Sequence, residues 1–153
     1  MEPTLAQLQA QEAELTAASF TAADALAVGL LAVELARTVW KKPVAIHIET
    51  GWPLFTHYMD GTDAGNVYWV NVKQAVVRRF GTSSLAVRRD YLDKGLDFAQ
   101  ATGLAPEEYR AEGGSIPLNV TGRGRVGTLT VSGMDGVDDH ALAVEALRRH
   151  LRR

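Results

Sequence analysis

The chain has 153 residues, of which 46% are hydrophobic and 22% charged, and its net charge is −2. This length suits a single domain, and we expect residues 1–153 to form one. The slightly acidic balance argues against a nucleic-acid partner, and the absence of cysteine excludes disulfides, thiol catalysis and the common zinc sites.

The N-terminal residues lack the basic region and unbroken apolar run that are typical of a secretory signal. The most apolar stretch, residues 21–40, carries Asp24, Glu34 and Arg37, which argues against insertion into a membrane. We therefore expect a soluble, cytoplasmic protein.

The first elements in chain order are two predicted helices. Residues 4–18 have a thin apolar stripe, which predicts a helix at an edge of the domain or on another subunit. Thr21 and Asp24 resemble a capping box that opens a second helix, and Pro43 ends it. Because this second helix is apolar on two sides, we expect it to be central.

Alternating apolar residues predict a hairpin of strands 44–50 and 54–58, joined by the turn Gly51-Trp52-Pro53. Residues 64–80 follow as a helix with one apolar face. The chain through residue 100 is helical or irregular, and residues 102–115 are rich in loops.

Two further strands, 116–121 and 126–132, meet across Gly122-Arg123-Gly124, and Asp138 or Asp139 is expected to cap a last helix. The letters of Gly122–Gly127 match a dinucleotide fingerprint, but a strand follows them where the fingerprint needs a helix, so we assign these glycines to a turn. Helices mixed with hairpins predict an α+β domain, an antiparallel sheet flanked by helices.

Arg78–Ser84 is the first candidate site, because two arginines precede a glycine turn whose free N–H groups could bind an anion. In the alternative interpretation the serines only cap the next helix and the arginines form a solvated face. Lys73, Arg88 and Arg89 lie nearby in sequence and could enlarge the positive patch.

The four histidines have ordinary structural explanations beside functional ones. His47 and His57 could be neighbours across the first hairpin, although a metal site would need Glu49 or Asp60 as a third ligand. His140 is either a hydrogen-bonded, partly buried residue or part of a site. No catalytic motif is present in the sequence, so no reaction can be assigned from it.

Four motifs of the chain occur together in one known family: Arg79–Ser84, Gly113–Pro117, Val126–Gly133 and Asp139–Leu147. With them the chain resembles the haem-degrading-domain superfamily, in particular a short cytosolic branch related to the HbpS-like and GlcG-like domains. The resemblance implies a profilin-like, three-layer arrangement and assembly into homo-oligomers. It implies no settled reaction, although some relatives bind haem or related tetrapyrroles.

The chain departs from these relatives at two points. Glu112 stands where they usually have histidine before Gly113-Gly114-Ser115, and no histidine precedes His47. Both departures argue against haem coordination by the relatives' route and leave the cofactor open.

The resemblance and the residue types together give the set of residues expected to line a pocket. The glycine bends at residues 81–84 and 113–115 are expected to meet beside an arginine and form a small electropositive hollow. Three functions follow: an oligomeric module binding a small anionic ligand, a protein–protein adaptor, and a haem-binding or haem-degrading enzyme. The expected pocket residues are Lys73, Arg78, Arg79, Ser83, Ser84, Gly113, Gly114, Ser115 and His140.

Overall fold

The computed structural model describes residues 2–153. The helix Ala22–Leu35 continues into a π-helical turn, Ala36–Trp40, which ends at Lys41 in the left-handed conformation with φ 57°. In chain order the elements are α1 (Leu5–Glu14), α2 (Ala22–Leu35), β1 (Ala45–Glu49), β2 (Pro53–Tyr58), α3 (Ala64–Phe80), α4 (Ser84–Asp93), α5 (Phe98–Thr102), β3 (Ser115–Val120), β4 (Gly124–Ser132) and α6 (Gly136–Leu151).

The four strands form one antiparallel sheet in the order β2-β1-β4-β3. Each expected hairpin is present, and the turn between β3 and β4 uses Gly122 at φ 78° and Gly124 at φ 74°. This confirms the α+β class and assigns those glycines to a turn, because their left-handed backbone is strained for other residues.

Helices cover both faces of the sheet. On one face α2 and α6 pack on apolar side chains of the strands, including the fully buried Ile46, Leu129 and Val131. On the other face α3 crosses the strands, α4 packs on α3 and β3, and α1 packs on α4. The molecule therefore has the three layers expected for an α+β fold of this kind.

The layer between α3 and the sheet is polar. The Ser115 and Thr130 hydroxyls are 2.8 Å apart, and the Thr128 hydroxyl donates to Oε1 of Gln74 at 3.3 Å. All four side chains are buried. Because buried polar atoms need partners, this layer fixes how α3 sits on the strands.

The apolar pattern of α2 predicted a central helix, and this prediction was wrong. Its buried side faces the sheet and α6, whereas Leu26 is 53% exposed and Leu30 is 56% exposed. The second apolar side of α2 therefore forms surface.

The register of the first hairpin separates His47 and His57. His47 lies opposite Thr56, and His57 lies opposite Ile46, so the two imidazoles project from opposite faces of the sheet. Throughout residues 2–153, no three His, Asp or Glu side chains are grouped closely enough to hold a metal ion.

No helix among residues 2–153 is both long and apolar enough to cross a bilayer.

Candidate functional site

The two glycine-bearing bends do meet, through Ser84 and Ser115. The Ser84 hydroxyl accepts the Ser115 N–H at 3.1 Å and donates to the Ser115 carbonyl at 3.3 Å. Ser83 uses its hydroxyl to cap α4, accepting the Ala86 N–H at 3.1 Å. All three serines are fully buried, so their junction is closed to a ligand.

The start of α4 binds a carboxylate, and that carboxylate belongs to the chain itself. Oε1 of Glu12, on α1, accepts the Ser83 N–H at 2.6 Å and the Thr82 hydroxyl. A free N–H group at a helix start attracts negative charge. The anion-binding position expected at this turn is therefore occupied from within the molecule.

The two arginines before the turn have other partners. Arg78 forms an ion pair with Glu49, and the Arg79 guanidinium lies over the Tyr109 ring, 5.9 Å from its centre. Neither guanidinium hydrogen-bonds to Ser83, Ser84 or Ser115. The two arginines and the three serines therefore do not form the single site that the sequence predicted.

Glu49 also connects Arg78 to the first hairpin. Its Oε2 lies 2.8 Å from Nε2 of His47, whose Nδ1 lies 2.7 Å from the Thr56 hydroxyl. Burial lowers the pKa of His47, and the nearby Arg78 lowers it further. Because both ring nitrogens have partners, His47 is not free to bind a ligand.

Lys73 forms a buried ion pair with Asp139. Its Nζ donates to Oδ2 of Asp139 at 2.9 Å and to the Val131 carbonyl at 3.2 Å, and the lysine is 3% exposed. Asp139 also accepts the backbone N–H groups of Met134, at 3.0 Å, and Gly133, at 3.3 Å. Burial raises the pKa of Asp139 to about 6, against the opposing effect of Lys73.

The Gly113–Gly114 bend lies against this ion pair. Gly114 has φ 138°, and a Cβ atom there would come within 2.8 Å of Nζ of Lys73. Gly113 packs directly on the Gly136 carbonyl at the start of α6. Both glycines are needed for close approach, so this bend belongs with Lys73 and α6 rather than with Arg79.

An open hollow of about 390 Å³ lies beside Lys73, and we call it the Lys73 hollow. It lies between α3, the end of β4 and the first turn of α6. Trp69, half-buried, supplies its aromatic side, while Ser132 lies at the strand end and hydrogen-bonds to Asn66. The lining residues are Asn66, Trp69, Lys73, Glu112, Ser132, Gly133, Met134, Asp135, Gly136 and Asp139.

His140 lies away from the Lys73 hollow, beneath α1. It is 3% exposed, and its Nε2 lies 2.9 Å from Oε1 of Gln11. Burial lowers the pKa of His140 to about 4, so the imidazole is neutral near pH 7. Its Nδ1 has no hydrogen-bond partner among residues 2–153.

Sequence reasoning placed Lys73 and Gly114 in a pocket but missed Trp69, Ser132 and Asp139. Asp138 or Asp139 was expected to cap the last helix, yet α6 begins at Gly136, with Asp135 before its first residue. An acidic residue one turn inside a helix and aligned with its apolar side is the signal that could have indicated a buried carboxylate.

Haem is the cofactor that the resemblance raises, and the Lys73 hollow does not fit it. Haem iron needs an axial histidine, cysteine, methionine or tyrosine. Of these types the lining contains only Met134. His47, His140 and His150 each hydrogen-bond to another side chain, and His57 is exposed on an edge strand.

Comparison with known sequences agrees with the family resemblance seen in the sequence motifs. The model of a family described as haem degrading protein HbpS-like matches residues 20–148. A UPF0303 protein of Streptomyces avermitilis is 44% identical over 152 residues, covering 99% of this chain and 93% of that protein. A UPF0303 protein of Paraburkholderia phytofirmans is 39% identical, covering 94% of this chain and 87% of that protein.

Solved structures share the fold. The crystal structure of the Ybr137w protein superposes with a TM-score of 0.87 at 26% identity, covering 99% of this chain and 90% of that one. A complex of PduOC with haem superposes with a TM-score of 0.70 at 21% identity, covering 88% and 95%. With the family model spanning most of its length, this chain belongs to the HbpS-like haem-degrading family.

Proposed function

We propose that this protein is an oligomeric module that binds a small anionic molecule in the Lys73 hollow. The observation that carries the proposal is the ammonium group of a nearly buried lysine beside an open space at a helix start. Lys73 has three N–H donors, and Asp139 and Val131 take two of them. Within residues 2–153 the third has no protein partner, so it remains available to a ligand.

The first turn of α6 adds donors beside Lys73. The first backbone hydrogen bond of this helix runs from the Asp139 N–H to the Asp135 carbonyl. The N–H groups of residues 136–138 therefore have no partner within the helix. The Asp135 side chain makes no capping hydrogen bond to them. Uncapped N–H groups at the start of a 16-residue helix favour an anion.

The acidic residues around the hollow predict how binding depends on pH. Asp139 neutralises Lys73 when ionised, and its pKa is raised to about 6 by burial. As the pH falls through this value, Asp139 takes up a proton and the hollow gains one positive charge. We therefore expect anion affinity to increase from about pH 7 to about pH 5.

Calorimetric titration with sodium sulfate tests the proposal, because sulfate keeps its charge over this pH range. We expect millimolar binding that tightens at about pH 5. Asp135→Asn removes a negative charge from the hollow and should tighten binding several-fold. Asp60→Asn is the matched control, an exposed aspartate outside the lining, and should bind as the wild type does. Absence of sulfate binding at both pH values would contradict the proposal.

The oligomeric part of the proposal rests on exposed apolar surface. Leu26 and Leu30 are exposed one turn apart on α2, and Gly29 of the same helix packs on Phe55 of the edge strand β2. An unpaired strand edge beside exposed leucines is a surface typical of subunit contacts. The same surface would serve an adaptor that binds another protein, which is the second candidate function.

Haem binding is the function that the PduOC complex suggests for a protein of this fold. Because the Lys73 hollow lacks a histidine, we expect haemin titration to give no Soret shift. A saturable Soret shift that Met134→Leu abolishes would instead support haem as the ligand.

A further inference from the structure

A second hollow shares one lining residue, Glu112, with the Lys73 hollow. It is bounded by α4, the start of α5 and residues 106–112, and its volume is about 160 Å³. Tyr91, Phe98 and Tyr109 contribute aromatic rings to its lining. We call it the tyrosine hollow.

Core packing fixes these rings in place. The Tyr91 and Phe98 rings are 5.3 Å apart and nearly perpendicular, at 83°. Phe80 lies against both, at 6.4 Å from Tyr91 and 5.7 Å from Phe98. The rings pack in turn on the buried Val76 and Val87. The tyrosine hollow is therefore preformed, and a ligand would not have to order its wall.

The size of the hollow selects one aromatic ring. A cavity of about 150 Å³ in a protein interior accepts benzene. The tyrosine hollow has a similar volume and an aromatic lining, which favours edge-to-face packing of a further ring. A tetrapyrrole, with four such rings, is too large for it.

Arg88 adds a positive charge at the border of the hollow. Its side chain is 36% exposed and makes a single hydrogen bond to residues 2–153, from one terminal nitrogen to Glu112 at 3.3 Å. The guanidinium has five N–H donors, so others are available to a carboxylate. Arg110 lines the same hollow, and of the two acidic residues there Asp97 already caps α5.

We propose that the tyrosine hollow binds a single-ring aromatic carboxylate, with the ring against Tyr91, Phe98 and Tyr109 and the carboxylate on Arg88. The tyrosine hollow and the Lys73 hollow share only Glu112 in their linings. They would take different ligands, so either proposal can fail alone.

Ligand-observed NMR and calorimetry with benzoate test this proposal. We expect saturable millimolar binding, with saturation transferred to the ring protons, and much weaker binding of cyclohexanecarboxylate and benzyl alcohol. Ala99→Leu places extra volume in the hollow and should abolish benzoate binding, while circular dichroism reports that the fold is kept.

Substitutions at two neighbouring arginines test whether Arg88 itself binds the carboxylate or whether any positive charge on this surface has the same effect. Arg88→Gln should weaken benzoate binding about tenfold. Arg89→Gln is the matched control, because Arg89 pairs with Asp93 and Glu2 and does not line the hollow, and should leave binding unchanged. Equal affinities in wild type, Arg88→Gln and Ala99→Leu would overturn the proposal, as would the absence of any benzoate binding.

Discussion

Two neighbouring residues of α6, Asp139 and His140, are both buried but serve different parts of the fold. Asp139 joins α6 to Lys73 on α3, and His140 joins it to Gln11 on α1. Burial favours the neutral form of each, so it raises the pKa of the carboxyl and lowers the pKa of the imidazole. Lys73 offsets this effect only for Asp139.

Because His140 is buried as a neutral imidazole, we expect its protonation to lower the free energy of unfolding in acid. Its pKa is about 4 in the folded protein and near 6.5 when unfolded. The unfolded chain therefore binds the proton first, and the stability from His140 that is present above about pH 6.5 is lost as the pH falls towards 4. The loss amounts to about 3 kcal/mol.

Urea unfolding at several pH values, with His140→Gln as the comparison, measures this effect. The free energy of unfolding of the variant should fall less between about pH 6.5 and about pH 4, by about 3 kcal/mol. The difference between the two proteins cancels the titration of all other groups. Parallel curves for the two proteins would show that His140 titrates normally.

Removing the positive member of the buried ion pair should be costly. Lys73→Met leaves the Asp139 carboxylate buried without its charged partner, and we expect a loss of about 3–5 kcal/mol in unfolding free energy. The double variant Lys73→Met, Asp139→Asn should recover part of this loss, because the uncompensated charge is gone. Lys94→Met removes only an exposed pair with Asp90 and should change stability by less than about 1 kcal/mol. Equal losses in the single and double variants would argue against a charge effect.

At the scale of elements, local signals in the sequence predicted most of the secondary structure. The helix over residues 64–80 and the capping box of Thr21 and Asp24 are both present. These features depend on neighbours in the chain, which the sequence displays directly. The expected cap at Asp138 or Asp139 was wrong, because α6 begins at Gly136 and Asp139 pairs instead with Lys73, 66 residues away. A contact over that distance cannot be read from local sequence.

The candidate site was harder to predict than the elements. The expected anion position is occupied because Glu12, 70 residues before Thr82, reaches the start of α4. A turn rich in serine and arginine looks the same in sequence whether its N–H groups face solvent or an internal carboxylate. Only the tertiary packing of α1 distinguishes the two.

The contact of Glu12 with the start of α4 is expected to help hold α1 in place. Glu12→Gln keeps the shape of the side chain but removes its charge at the helix start, and should cost about 1 kcal/mol. Hydrogen exchange should become faster at the amide of Ser83. Glu34→Gln is a control, because Glu34 forms an exposed pair with Arg37. Identical stability and exchange in wild type and Glu12→Gln would mean that α1 is held by its apolar contacts alone.

At the scale of the whole molecule, three layers bring α3 and the first turn of α6 together at one end of β4. The apolar residues of the sheet pack on α2 and α6, while the polar layer under α3 leads to the Lys73 hollow. The fold thus places the one nearly buried lysine within residues 2–153 next to a free helix start. Fold class and family were predictable from sequence patterns, whereas this convergence was not.

The exposed leucines of α2 predict that the protein is an oligomer in solution. Leu30→Asp introduces a charge on the surface beside β2 and should shift an oligomer towards smaller species in light scattering. Leu92→Asp, at an exposed leucine on α4, is the matched control and should leave the molar mass unchanged. A wild-type monomer at all concentrations would contradict the oligomeric part of the proposal.

We propose the Lys73 hollow as the anion site of this protein. The decisive measurement is a map of the backbone amide NMR shifts during titration with sodium sulfate, against sodium chloride at equal ionic strength. We predict saturable shifts centred on residues 133–138 and Trp69, with the amides of Thr82 and Ser83 unaffected. Shifts centred on Thr82 and Ser83, or none beyond those in chloride, would contradict the claim.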